Sequence, residues 1–268
     1  MTTPTGDARY LELILAPIRE CANYRPAFGR ESDEGVTVEQ FRTLYGADLL
    51  YHWVGLDSDL MYAAHKAAGG MTSIYRQLGI GCERLLRGVV MDSLGTSEED
   101  ARWAYDYDKE DGSTATHTLD VRIDGETLSS EEHRARLTAW LGRCSESLKL
   151  SLERAGDLRG VVMEVRQGYK SADSKRQNAD LRFGLRAYNE NYLPAVVIVS
   201  SQVSAPVIRR YRGAQLLVLT GTWGADTEST FSFYREIVGY DLAAFFERNS
   251  PRLREEFGRV LQNLLTPA

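Results

Sequence analysis

At 268 residues, 43% hydrophobic and 26% charged, the chain is long enough for one large domain or a domain with a helical extension. The net charge of −6 excludes a uniformly basic protein that coats nucleic acid, and no apolar run reaches the eighteen residues of a membrane span. Three widely separated cysteines (Cys21, Cys82, Cys144) and four scattered histidines fit neither a disulfide framework nor a zinc site and point to a reducing, cytoplasmic setting.

The chain opens on Met-Thr-Thr-Pro-Thr-Gly-Asp, which lacks the basic start and apolar stretch of a secretion signal. Residues 10–22 carry apolar side chains at helical spacing (Leu11, Leu13, Ile14, Ile18), with Pro17 as an expected kink. Thr37 followed by Gln40 is a capping-box pattern that starts a second helix. A short helix over 60–66 is expected to stop at Gly69-Gly70, and another to run from Thr72 through Leu85 and Val89 toward Gly95. Glycines 79, 81 and 88 each cost that helix about 1 kcal/mol relative to alanine. Their presence predicts the close approach of a sheet or a ligand.

The period then changes from helical to alternating. Residues 102–107 and 116–124 read as strands separated by the turn-rich Lys109-Glu-Asp-Gly-Ser. In the second, Leu119, Val121 and Ile123 face one way and Asp120, Arg122 and Asp124 the other. A helix over 130–154, a short apolar strand over 160–165 and a helix over 174–189 follow. The apolar runs over 192–200 and 216–220 suit strands covered on both faces. Helices over 230–238, 241–248 and 251–265 close the chain. The expected fold class is therefore α/β, a mixed central sheet flanked by helices with a largely helical N-terminal portion. The organisation expected is one domain: mostly helical over 1–100, an α/β core over 101–225 and C-terminal helices over 226–268.

Charge is uneven along this chain. Between Arg159 and Arg186 seven basic residues face three acids, and Arg209, Arg210 and Arg212 follow with no acid nearby. An acidic exterior with a basic cleft suits an enzyme acting on a polyanion. Within the basic stretch, Glu164-Val-Arg-Gln-Gly-Tyr-Lys170 places a carboxylate where an apolar strand turns polar, with Arg166 two residues on and therefore on the same face. With Asp120 or Asp124 from the neighbouring strand, Glu164 makes an oxygen-ligand set suited to Mg²⁺. A cation beside it, Arg166 or Lys170, would stabilise charge developing on a phosphodiester. Glu83 on the preceding helix is the candidate for a further carboxylate.

Asp120-Val-Arg-Ile, Glu164-Val-Arg-Gln-Gly-Tyr-Lys170 and the following Asp173-Ser-Lys-Arg-Gln-Asn-Ala-Asp-Leu181 together resemble the PD-(D/E)XK nucleases, in particular the type II restriction endonucleases. The resemblance covers residues 103–222. It implies a restriction-endonuclease-like core and a metal site on Asp120 or Asp124 and Glu164. It also implies a lysine that assists the attacking water, and often a glutamate from a preceding helix. The chain departs from the family where Arg166 stands in place of that lysine, because arginine is too basic to accept a proton. No proline precedes Asp120, and a helix lies between Asp120 and Glu164.

Duplex DNA is the implied substrate, with Mg²⁺ as cofactor and a homodimer to match a palindromic site. Lys175, Arg176, Gln177 and Asn178 open a helix where their positive charge opposes the helix dipole, which a phosphate or guanine edge would offset. Arg122, Arg209, Arg210 and Arg212 are further candidates for DNA contact. A repair or recombination nuclease of the same superfamily is the alternative enzyme. A DNA-binding protein with a decayed nuclease site is the alternative without catalysis. No glycine-rich dinucleotide fingerprint, Walker loop or nucleophile elbow is present, so no organic cofactor is expected.

Overall fold

The computed structural model describes residues 4–29, 35–108, 111–168 and 174–267. The chain divides into two compact units, Met1–Gly81 with Glu247–Ala268, and Cys82–Phe246. Among the described residues no helix is long and apolar enough to cross a membrane. All three cysteines are free and buried.

The first unit contains α1 (Pro4–Glu20), α2 (Val38–Gly46), α3 (Leu49–Trp53) and the beginning of α4 (Asp59–Leu94), with the later part of α10 (Leu242–Leu265). Thr37 caps α2 with the reciprocal pair that its sequence announces: its side chain accepts from the Gln40 amide, and its own amide donates to the Gln40 side chain. Ile18, Cys21, Ile74, Val260 and Leu264 form one buried cluster, and Val36, Phe41 and Tyr62 another.

Helix α4 does not stop at Gly69-Gly70, as its sequence suggested. It continues unbroken for 36 residues, because these glycines serve packing rather than termination. A Cβ on Gly69 would come within 2.0 Å of the Tyr24 Oη, and one on Gly70 within 2.5 Å of Leu264 Cδ2. Gly81 likewise lets the backbone of Ile14 approach, so the neighbour at this glycine is a helix rather than a sheet or a ligand. The break expected near residue 250 is also absent: α10 runs through Pro251.

The second unit holds the sheets. Strands β1 (Trp103–Asp108) and β2 (Thr114–Leu119) form an antiparallel hairpin, Tyr105 facing His117 across it. A four-stranded mixed sheet follows in the order β3 (Val121–Asp124), β4 (Gly160–Arg166), β5 (Tyr192–Ile198) and β6 (Leu217–Leu219). β3 and β4 are antiparallel, whereas β4, β5 and β6 are parallel. The strand expected over 116–124 is thus two strands in two sheets, broken at Asp120. The helix expected over 130–154 is likewise two, α5 (Glu131–Leu148) and α6 (Leu152–Asp157), separated at Lys149 in the left-handed conformation.

Parity along β4 explains what covers the sheet. Val162 joins Val196, Ile198 and Val218 in a cluster with Phe183 and Ala187 of α7 (Ser174–Asn189) and Val207 and Tyr211 of α8 (Ala205–Gly213). Val161, Met163 and Val165 turn to the opposite face, and α5 packs along β4. Trp140 of α5 stacks at 4.7 Å on Phe233 of α9 (Thr230–Phe233). With both faces covered, β4 and β5 are buried almost throughout, as their unbroken apolar runs require.

Candidate active site

Glu164 shares the parity of Val162, so its side chain projects to the face covered by α7 and α8 yet lies beyond the apolar cluster, near the carboxyl end of β4. In parallel α/β sheets that end is where ligands bind. The antiparallel register pairs Val121 with Met163, which sets Asp120 level with Glu164. The ladder continues there in altered form. The Asp120 amide donates to the Met163 carbonyl at 3.2 Å, while the Val165 amide donates at 2.7 Å to the Asp120 carboxylate rather than to a carbonyl. One backbone donor therefore orients Asp120 Oδ2.

The Glu164 carboxylate is also half committed. Arg166 Nη1 lies 2.5 Å from its Oε1, and the Arg166 Nη2 reaches Asp180 of α7 at 3.1 Å. Tyr211 of α8 donates to the other Asp180 oxygen at 2.5 Å. This buried chain, Glu164–Arg166–Asp180–Tyr211, ties β4 to both covering helices. Glu164 Oε2 is buried without a hydrogen-bond partner among the described residues. Nε2 of His117 stands 3.7 Å from it, close enough for ionic attraction but too long for a hydrogen bond.

The electrostatics follow from crowding of carboxylates in a buried place. Burial, reinforced by the charges of Glu164 and Glu83, pushes Asp120 up to about 7. Burial opposes ionisation of Glu164 too, but His117 and Arg166 outweigh it and hold its carboxyl below its usual value. Glu83 on α4 is raised by burial and by Glu164, with Arg166, Arg87 and Arg84 working against the shift. Arg87 donates to the Asp120 carbonyl at 3.0 Å, fixing the helix beside the strand. His117 is raised above its usual value by Glu164, against the effect of its own burial.

No group of three or more His, Cys, Asp or Glu side chains among the described residues is drawn close enough to hold a metal by itself. Mg²⁺ makes a smaller demand, since it keeps several waters and takes one or two carboxylates together with substrate phosphate. Glu164 Oε2, which makes no hydrogen bond among the described residues, and the carboxylate of Asp120 level with it fit that requirement.

Several expected site residues sit elsewhere. Asp124 is at the far end of β3, opposite Gly160, four positions or roughly 13 Å from the level of Glu164. Its carboxylate accepts from Tyr192 at 2.5 Å and lies 3.8 Å from Arg159, so the structure does not bring it to Glu164. Arg122 turns to the carbonyls of Asp100 and Glu99. Arg210 donates at 2.7 Å to both Gln177 and Asn178, which links α8 to the start of α7, and Gln177 is buried. Arg212 pairs with Glu228 at 3.0 Å, and Arg209 is exposed. Lys170 lies outside the described residues, as do the side chains of Lys175 and Arg176, whose backbones begin α7.

His117, Asp180 and Tyr211 belong to the constellation without having been singled out from the sequence. His117 had a legible signal: in Ala115-Thr-His117-Thr-Leu119 the alternation sets it on the inward face with buried Leu119. Comparison of the chain with models of protein families, with curated proteins and with solved structures finds no match in any of the three.

Proposed function

We propose that the protein is a Mg²⁺-dependent endonuclease that hydrolyses phosphodiester bonds in duplex DNA at a defined sequence, in the manner of a type II restriction enzyme acting as a homodimer. The observation that carries this reading is the placing of Asp120, just before β3, level with Glu164 of β4, whose Oε2 makes no hydrogen bond among the described residues.

In this reading Asp120 and Glu164 hold Mg²⁺, and the bound metal supplies charge neutralisation and an acidified water at the phosphate. The chain's own residues prepare the place. Arg166 pins Oε1 of Glu164 and leaves Oε2 facing the site. The Val165 amide fixes the Asp120 rotamer. His117, a cation while protonated, favours the ionised form of Glu164 and would be the acid of the site, holding a proton on its ring 3.7 Å from Glu164 Oε2. Arg166 is the clamp of the acidic pair, which leaves Lys170 as the residue for the role of the family's lysine.

Incubation with plasmid and Mg²⁺, followed by mapping of the ends, tests the proposal directly. Cutting at fixed positions is expected, and Glu164→Ala should abolish it while retaining DNA binding. Absence of cleavage with every divalent metal would overturn the enzyme reading. It would favour the second one, a DNA-binding protein with a decayed site, for which the engagement of Arg166 by Glu164 and Asp180 is the specific support.

A further inference from the structure

A cleft of about 1040 Å³ opens between the β1–β2 hairpin and α7. Its hairpin wall is aromatic. Tyr105 and Tyr107 are two residues apart and so share one face of β1, their ring centroids 6.3 Å apart, with the His117 ring edge-on to Tyr105 at 5.5 Å. Burial is graded along that face, from Trp103 in the core to Tyr105 and Tyr107, which keep part of their rings exposed.

The opposite wall is cationic. Arg182 and Arg186 lie one turn apart on the exposed side of α7. Neither makes a hydrogen bond or ion pair among the described residues, whereas Arg159, Arg166, Arg210 and Arg212 are all engaged. Two guanidiniums without an ion pair among the described residues, opposite two partly exposed phenol rings, suit a ligand that is both aromatic and anionic. Asp108 and Asp111 also line the cleft, on the hairpin side, where a carboxylate can accept from the amino group of a base.

We propose that this cleft binds a single-stranded segment of DNA, its bases stacked on Tyr105 and Tyr107 and its phosphates held by Arg182 and Arg186. An unpaired strand fits better than a duplex because base faces inside a duplex are already stacked on one another, and only an unpaired strand offers them to protein rings. The cleft also has the volume for a few nucleotides. It leads to the carboxylates, since His117 lines it and faces Glu164. Only this last consequence, delivery of an unpaired strand to the cutting site, rests on the nuclease reading.

The test is binding without catalysis, using the full chain in EDTA. Fluorescence anisotropy is read with a labelled oligothymidylate of about a dozen nucleotides, free or annealed to its complement. The free strand is expected to bind, and to depend on the cleft residues at least about tenfold more than the duplex does. Y105A/Y107A and R182A/R186A should each weaken it about tenfold or more, with Y105F/Y107F binding like the parent. R182A/R186A should also flatten the logarithmic salt dependence by about 1.4, roughly 0.7 for each phosphate no longer neutralised. Wild-type binding of the free strand by both the alanine pairs, or an equal loss for strand and duplex in them, overturns the proposal. Arg182 and Arg186 are exposed, so their variants keep the test valid if the tyrosine pair fails to fold. Because no metal is present, loss of plasmid cutting cannot imitate either result.

Discussion

The guanidinium of Arg166 lies 2.5 Å from the carboxylate of Glu164, two residues back on the same strand and the same face. This arginine spends its second nitrogen on Asp180 of α7. It thereby links the two buried acids through one partly buried cation. Such a group acts first on stability and only through Glu164 on chemistry.

Arg166→Ala should therefore be strongly destabilising. It leaves Glu164 and Asp180 buried without their shared countercharge, a situation that costs about 3–5 kcal/mol. Urea denaturation compared with Arg166→Lys measures this. Lysine keeps the charge but not the two-pronged geometry, so partial recovery is expected. Loss of less than about 1 kcal/mol in the alanine variant would show that the network contributes little.

Asp120 predicts a pH dependence of stability. Its folded value of about 7 lies above its ordinary 3.8, so the folded protein keeps a proton that the unfolded chain releases. Stability should fall as pH rises across that interval, and the penalty should be complete above it. Asp120→Asn removes the penalty. The variant should exceed the parent by roughly 1–3 kcal/mol at pH 8 and converge with it near pH 4. In the proposed nuclease, Mg²⁺ should raise the melting temperature of the parent more at pH 8 than at pH 6, and that of the variant at neither. Thermal melts at the three pH values check both statements.

His117 gives the opposite sign. Its folded value is raised by Glu164, so its contribution is fully present below the ordinary value of 6.5 and is lost as pH rises through the raised one. His117→Ala should cost about 0.5–1 kcal/mol at pH 5, after solvent screening of this partly exposed pair, and almost nothing from the ion pair at pH 9. Urea midpoints at the two values decide it. An equal loss at both would mean that His117 acts by packing.

Gly69 predicts a reversal of sign between backgrounds. Alanine at a helix interior normally gains about 1 kcal/mol over glycine. Here the added methyl would strike the Tyr24 ring, at a cost of about 1–3 kcal/mol. Gly69→Ala should thus destabilise the parent protein and stabilise a Tyr24→Ala background. Chemical denaturation of the four proteins in a double-mutant cycle measures the coupling.

The sequence by itself determined what depends on neighbours along the chain. The capping box at Thr37, the alternation of Leu119, Val121 and Ile123, and the unbroken apolar runs of β4 and β5 were readable because helix period, strand period and cap chemistry are local. They placed Glu164 at the polar end of a buried strand. The tertiary structure decided what depends on register and close approach. Locally little beyond its deeper place in the apolar alternation distinguishes Asp120 from Asp124, both on the polar side of one alternating segment. The pairing of Val121 with Met163 does, because it sets one level with Glu164 and the other roughly 13 Å along the strand. Gly69-Gly70 read as a helix stop because glycine both ends helices and admits neighbours, and only the presence of Tyr24 and Leu264 selects the second meaning. Arg166 read as a catalytic cation for the same kind of reason: its charge is local information, but its engagement by Asp180 is brought about by the packing of α7 across the sheet.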